Sequence, residues 1–286
     1  MEQLVQVRKL MLNDLPALTK MDTGIEDDYV IRIFDRLVAS PSQELYGLFQ
    51  QEQLLSLAGY SLFGQNRFAM IGRLRSDRRY RSQGYATELL KPVIDQLRNR
   101  PEVKWIGANT HVHNHSARRL LEKSALQADT ISYYLTLNQP EKLKGHSPGD
   151  RWNEVHSIFE KRDLLHSLNE NHLGLFPYEC YYSFPYDEAL FTDDYLDSSK
   201  IYINRDKTRF VIIKNDTKKY DYSHVKYFWN DHYTQPGFFE TILQHWDENP
   251  DNVGCWIDFS KQAYDHITDL SPYDVQEPWI LYGLWT

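Results

Sequence analysis

The sequence predicts a mixed α/β (α+β) protein built as two domains, and three observations carry that expectation. An apolar run at 68–74 passes through a glycine turn at 81–87 into a helical pattern at 86–97, so strand and helix alternate instead of segregating. At 286 residues the chain exceeds the usual single-domain size of about 100–200 residues. Residues 138–150 are polar and punctuated by Pro and Gly, which reads as a linker, and beyond them the composition shifts: 28 of the 40 aromatic residues follow position 140. Rings in that number imply a packed core in the second half, not a disordered tail. The predicted domains are 1–140 and 150–286.

Residues 4–10 alternate in polarity and read as a strand. Asn13 and Asp14 ahead of Pro16 mark a helix start, with the proline in the first turn where its missing N–H costs nothing, and the helix should run to about Met21. A second helical segment begins at Asp27, with Val30, Ile31, Phe34, Leu37 and Val38 at helical spacing, and Ser40-Pro41 ends it. Residues 44–50 and 54–63 flank a polar turn as a hairpin, and the strand at 68–74 follows Gly64-Gln65-Asn66. After the helix come a strand at 104–110, a helix opened by Asn114 with Ala117 and Leu120, and a strand at 131–137. In the second half, 154–164 repeats the strand-then-Asp-Leu-helix pattern of 5–15. A hairpin at 200–204 and 208–213, a strand at 254–259, a helix at 261–270 and a last strand at 279–284 follow. That order fits a second copy of the first architecture, with an unrelated α+β domain as the alternative.

The net charge of −8 is unevenly placed. Residues 1–140 carry 18 Lys and Arg against 15 Asp and Glu, whereas 141–286 carry 14 against 25. Arg73, Arg75, Arg78, Arg79 and Arg81 crowd the glycine turn, as a ligand with several phosphates would favour; a solvated turn face is the other reading. An acidic second half repels nucleic acid, so that partner is not expected. There is no apolar stretch of about 18 residues and no basic-then-apolar leader, so neither a membrane partner nor export is expected, and a cytoplasmic location fits. Cys180 and Cys255 stand far apart with no CxxC or Cys/His cluster, which argues against a disulfide framework or a metal site.

The stretch Arg81-Ser82-Gln83-Gly84-Tyr85-Ala86-Thr87 is the strongest chemical signal. A helix N-terminus leaves backbone N–H groups unpaired at the positive end of the dipole, so a turn wrapping those donors around a small space holds phosphate. Gly84 and Ala86 keep the space open. An ordinary strand-to-helix turn is the bland alternative.

The spacing Arg-x-x-Gly-x-Ala, preceded by Tyr80, resembles the acyl-CoA signature of the GCN5-related N-acetyltransferase (GNAT) family. The strand at 104–110 followed by Asn114-x-x-Ala117-x-x-Leu120 matches the family's next motif, in order and correctly spaced, and the resemblance covers 4–137. It implies the GNAT fold, a mixed central sheet flanked by helices, with acetyl-CoA as acyl donor and no metal. The turn at Arg81 to Thr87 would hold the pyrophosphate. Pantetheine would lie along the splayed strand at Leu74, Arg75 and Ser76, whose backbone N–H supplies the oxyanion donor, and Asn114 would bond the cofactor.

Direct attack of an amine on a thioester needs a neutral amine, an oxyanion donor and a proton for the thiolate. The family often supplies the acid as a tyrosine four residues after the helix alanine, but that position is Leu121 here, and the usual Gly-Phe pair is Ala125-Leu126. Tyr133 or Tyr134 on the following strand could replace it, as could water; core packing is the alternative for both rings. No carboxylate lies in 68–74, so His111 or His113 is the candidate base, with a structural role as the alternative. The cluster Glu26, Asp27 and Asp28 borders the family's amine site and could hold a protonated amine, or simply charge a helix N-terminus.

In the second half the corresponding turn is 233–239, where Pro236 removes a donor and Phe238 and Phe239 would fill the phosphate space, so that half should not bind CoA. Some family members are tandem in this way, with one half degenerate. The implied function is N-acetylation of a small cationic amine, the second half contributing to the acceptor pocket. A peptide N-terminus or lysine is the alternative acceptor, and a non-catalytic acyl-CoA sensor or scaffold the alternative class.

Overall fold

A computed structural model describes residues 5–286; Leu4, which the alternation places in the first strand, lies outside the described residues. The chain divides into two compact units. Unit 1 comprises residues 1–110, 114–129 and 282–286, and unit 2 comprises 111–113 and 130–281.

Unit 1 begins with β1 (Val5–Lys9), a 3-10 turn (Leu12–Asp14) and α1 (Leu15–Thr19). Asp14 does not cap α1: its carboxylate accepts the Met11 N–H at 2.8 Å and takes both Arg8 nitrogens at 2.7 Å. The expected second helix is broken at Ile33 into α2 (Tyr29–Arg32) and α3 (Phe34–Ala39), and Asp28 caps α2 through the Val30 N–H at 3.0 Å. Then follow β2 (Gln43–Gln50), β3 (Gln53–Phe63), β4 (Phe68–Ser76), α4 (Tyr85–Arg98), β5 (Trp105–His111) and α5 (His115–Lys123). β1 to β4 are antiparallel neighbours in sequence order, and β5 joins β4 in parallel. Leu10, Leu18, Val30, Phe34 and Leu37 pack on Leu45, Phe49, Leu54 and Leu57 in one core. The apolar stripe of α4, Leu89, Leu90, Val93, Ile94 and Leu97, is buried as its helical spacing requires.

β6 (Gln127–Leu137) was expected to close this sheet, but its residues 130–137 belong to unit 2. The strand beside β5 comes instead from the far end of the chain, residues 282–286. Thr286 N–H donates to the Lys104 carbonyl at 2.9 Å. The physical reason is a lock of shape around Trp105, which is 2% exposed. A Cβ on Gly107 would lie 2.0 Å from the Trp105 ring and one on Gly283 would lie 2.5 Å from it, so two glycines on neighbouring strands make the slot for one indole.

Unit 2 continues with β7 (Asn153–Val155), α6 (Ile158–His166), a hairpin of β8 (Phe176–Glu179) and β9 (Tyr182–Phe184), α7 (Asp193–Asp197), β10 (Lys200–Ile203), β11 (Phe210–Thr217) and β12 (Asp221–Lys226). After these come α8 (Phe238–Asp247), β13 (Cys255–Phe259), α9 (Lys261–Asp265), β14 (Tyr273–Val275) and β15 (Trp279–Trp285), the last of which carries the segment that enters unit 1. Its sheet runs β7-β10-β11-β12-β13-β6. The first four strands are antiparallel neighbours, β13 joins β12 in parallel, and β6 closes antiparallel to β13. This is the order and sense of unit 1, so the faint repeat at 5–15 and 154–164 marks a real duplication of architecture. Each sheet is closed by a strand from the other half of the sequence. The helix expected over 261–270 stops at Asp265.

Candidate functional site

Between β4 and α4 the backbone turns through two left-handed residues, Ser82 at φ 66° and Gly84 at φ 86°, ψ −3°. Alternating handedness curls successive N–H groups toward one point, an anion-binding concavity. Gly84 is the N-cap of α4, and its carbonyl already accepts from Thr87 and Glu88 at 2.9 and 3.0 Å. Among the described residues, the N–H groups of Gln83, Gly84, Tyr85 and Ala86 have no backbone acceptor. Arg81, Ser82, Gln83 and Gly84 are exposed, and among the described residues no heavy atom beyond the turn's own neighbours lies within 4 Å of a Cβ built on Gly84. Ala86 and Thr87 continue into the first turn of the helix.

The adjoining strand is shaped for an extended ligand. β4 and β5 pair only from Phe68 opposite Trp105 to Met70 opposite Gly107, so the parallel ladder ends before the last six residues of β4. A bulge lies in the same stretch: the β3 register shifts between Leu57 and Gly59, and Arg73 takes a left-handed φ of 57°. The backbone of Leu74, Arg75 and Ser76 thus borders an unzipped edge, where a chain with amide groups can add as a strand does.

The arginines do not converge on the turn as the charge pattern suggested. Arg73 donates to Gln43 and Ser61, Arg78 pairs with Asp22 at 3.0 Å, and Arg79 pairs with Asp77. Arg75 clamps Asp28 with two bonds of 2.6 and 2.8 Å. Neither Arg73 nor Arg81 has a carboxylate within 4 Å among the described residues; Arg81 reaches only the Thr23 carbonyl at 3.5 Å. Asn114 caps α5 by accepting the Ala117 N–H at 3.2 Å.

The acidic cluster separates. Burial would raise the Asp28 carboxyl, but the Arg75 guanidinium and the Val30 N–H outweigh it and hold the group below its usual range. Its carboxylate is fully enclosed and committed to Arg75, so it is not offered to an amine. Asp27 pairs with Arg32 at 2.8 Å on the surface, and Glu26 is exposed. The Arg75–Asp28 clamp, which ties α2 to the end of β4, went unread in the sequence because nothing local links residues 47 apart.

His111, Tyr133 and Tyr134 all belong to unit 2. His111 stacks on Trp279 at 4.4 Å, and its Nδ1 lies 3.3 Å from the Glu277 carbonyl. Tyr133 stacks on Tyr264 at 4.6 Å. Tyr134 is 3% exposed and lies flat on Trp256 at 4.3 Å, and burial pushes its hydroxyl up to about 12. A phenol so weak gives its proton reluctantly to a thiolate whose own conjugate acid has a pKa of about 8.5. At position 121 the side chain is a core leucine, 1% exposed.

Unit 2 has its own version of the turn. Gly237 caps α8 at φ 79°, ψ 0°. Here a Cβ would lie 1.9 Å from the Asp150 carbonyl oxygen, and Gly149 packs against Pro236 and Gly237. Trp152 Nε1 donates to the Pro236 carbonyl at 2.9 Å, fixing the linker over the turn. The expectation that phenylalanine rings fill this space is corrected: Phe238 and Phe239 are buried in the core, Phe238 against Trp152, Tyr227 and His232. The chain's own linker backbone is the occupant.

Among known proteins, the sequence model of the Acetyltransferase (GNAT) family matches residues 8–125. No curated protein sequence matches significantly. Among solved structures, an inferred acetyltransferase from Pyrococcus horikoshii is similar over 100% of this chain and 90% of its own, at 10% identity and a TM-score of 0.56. A second, from Thermoplasma acidophilum, is similar over 96% and 89%, at 15% identity and a TM-score of 0.52. The ribosomal-protein-S18-alanine N-acetyltransferase of Escherichia coli matches 45% of this chain and 81% of its own, at 21% identity and a TM-score of 0.40.

Proposed function

We propose, from the match of residues 8–125 to the GNAT family model, that the chain moves the acetyl group of acetyl-CoA to a primary amine, a small cationic molecule, by direct attack. The observation that carries this reading is the open turn at Ser82–Gly84, with unpaired N–H groups and clear space over Gly84 beside an unzipped β4. Pyrophosphate takes the N–H groups of residues 83–86 and the charge of Arg81, while the pantetheine amides pair with the β4 edge at Leu74 to Ser76. The neutral amine nitrogen attacks the thioester carbon, and a β4 N–H stabilises the oxyanion. Collapse expels the CoA thiolate, and the amine proton leaves through water or a side chain. Among the described residues, no helix is long and apolar enough to cross a membrane.

Unit 2 is proposed to serve acceptor selection and not cofactor binding, since residues 141–286 carry 14 cations against 25 anions and its glycine turn is filled. That field repels CoA and favours a cationic acceptor over a neutral one. A specific observation favours a second reading, an acyl-CoA sensor without turnover: the family's acid position is the buried Leu121. Release of free CoA from acetyl-CoA across an amine panel separates the two. Replacing Gly84 with Tyr places a ring where the backbone must approach pyrophosphate. Calorimetry should show affinity for acetyl-CoA falling more than tenfold, about 1.4 kcal/mol or more. Unchanged affinity in a folded Gly84→Tyr protein would remove the assignment.

A further inference from the structure

One face of the unit 2 sheet carries buried charge that acetyl transfer does not use. Cys255 on β13 points toward α8, its thiol 3.6 Å from the Ile242 carbonyl, so the alternate residues Trp256 and Asp258 face the other way. The register sets His224 beside Trp256 on that face, with Lys214 opposite His224 and Asp216 opposite Tyr222. The loop joining β8 to β9 lays Cys180 over them, and its N–H donates to Asp216 Oδ2 at 2.7 Å.

The Cys180 sulfur, an Asp216 carboxylate oxygen and an imidazole nitrogen of His224 all lie within 4.8 Å of one another. His224 Nε2 is bonded to Asp258 Oδ2 at 2.7 Å. Its Nδ1 is buried and has no partner among the described residues. An imidazole held by a carboxylate on one nitrogen, with the other bare beside a thiol and a second carboxylate, has the form of a metal ligand fixed in tautomer and orientation.

We propose that Cys180, Asp216 and His224 bind a divalent transition ion of the zinc class, pinning the β8–β9 hairpin to the sheet. One sulfur, one nitrogen and one oxygen donor suit zinc, and three protein ligands leave a fourth tetrahedral position open. Bond lengths of about 2.0–2.3 Å put ligand atoms about 3.3–3.6 Å apart around one ion, so these three must draw in by about 1 Å. Lys226 is fully buried with no hydrogen-bond partner among the described residues, and its cation plus the ion are matched by the Cys180 thiolate, Asp216 and Asp258, while Lys214 on the same face turns to the Ser198 hydroxyl at 3.1 Å. Lys218, at 3.3 Å from Asp216, is balanced by Glu179 at 2.8 Å. A nucleophilic role for the same cysteine fails on access, because Cys180 is wholly buried.

The test uses the full chain, stripped with a chelator and titrated with Co²⁺ and then Zn²⁺. One equivalent of Co²⁺ should produce a thiolate-to-cobalt charge-transfer band that Zn²⁺ abolishes. Cys180→Ser should lose the band and Cys255→Ser keep it, while Asp258→Asn should weaken Co²⁺ binding about 10- to 100-fold. A wild-type protein with no thiolate band, or a band that survives in folded Cys180→Ser, overturns the site. The wild-type titration decides even if Cys180→Ser fails to fold.

Discussion

Gly84 and Gly237 hold nearly the same backbone, φ 86°, ψ −3° and φ 79°, ψ 0°, at the heads of corresponding helices in two sheets of the same strand order. Over the first, no heavy atom of the described residues beyond its chain neighbours comes within 4 Å of a Cβ; over the second an Asp150 carbonyl sits where a Cβ would be. The left-handed cap is therefore a property of the architecture, kept because the strand-to-helix turn needs it, and it does not by itself make a ligand site. What separates the two halves is occupancy. In unit 2 the linker backbone at 149–150, tied down by Trp152, takes the volume that a phosphate group would need.

The largest break of the comparison is to remove a strand that one unit lends from the opposite end of the chain. Deleting residues 282–286 takes away Tyr282, wholly buried, and uncovers Trp105 and the Phe68 ring beside Trp285. Losing large buried rings costs about 3–5 kcal/mol each, and a domain holds only about 5–15 kcal/mol in total. Unit 1 should unfold, and acetyl-CoA binding should vanish with it, whereas amide exchange in β11 and β12 should stay slow. For the same reason a chain cut near residue 140 is not expected to fold, since it lacks the strand beside β5.

Acid should divide the units in the other direction. His232 lies among Tyr227, Phe238 and Phe259, and burial lowers its pKa to about 3; His245, buried beside Tyr202, is lowered to about 4. An unfolded histidine gains its proton near pH 6.5 and these two cannot, so stability falls as pH drops below 6.5 toward their folded values. At pH 5 the loss is about 2 kcal/mol for each. Burial lowers His224 and raises Asp258 to about 7, opposite shifts that largely offset each other in this window. In unit 1 the groups shifted in the acid range are carboxylates. Burial raises Glu44, yet bonds from Tyr46 and Arg100 help bring it down to about 2, and Asp28 is also lowered; their contribution is present above about pH 4 and is lost only as pH falls through their folded values. Hydrogen exchange at pH 5 against pH 7, corrected for intrinsic rates, should show α8 and β12 opening while β3 and α4 stay protected. Equal loosening of both units would refute the account.

The sequence revealed the elements of this fold better than their partners. Strand order, the glycine turn and the Asn114 cap were readable because each rests on a few adjacent residues: alternation, a left-handed glycine, a side chain three residues from an orphan N–H. The strand exchange was not, because 131–137 and 279–284 are equally good strands and only the fit of Gly107 and Gly283 around Trp105 decides which one β5 accepts. The arginine cluster misled for a related reason. Charge density was visible, but Asp22, Asp28 and Asp77, which neutralise Arg78, Arg75 and Arg79, are drawn in by tertiary contact or by a turn.

The smallest effect sharpens the comparison most, because it changes one methyl group at each turn. Alanine at Gly84 meets no neighbour, so it costs only the strain of a left-handed residue, about 1–2 kcal/mol. Alanine at Gly237 carries the same strain and also drives a Cβ into the Asp150 carbonyl, adding about 1–3 kcal/mol of overpacking. The difference between the two ΔΔG values from denaturant midpoints therefore isolates the linker's occupancy of the second turn. Ligand binding should rank the pair in reverse. Gly84→Ala narrows the approach of pyrophosphate and should weaken acetyl-CoA, while Gly237→Ala, if folded, should bind one equivalent as tightly as wild type. If Gly237→Ala proved the more stable protein, or if calorimetry found two equivalents of acetyl-CoA on the intact chain, the second turn would be open in solution and the division between the halves would be wrong.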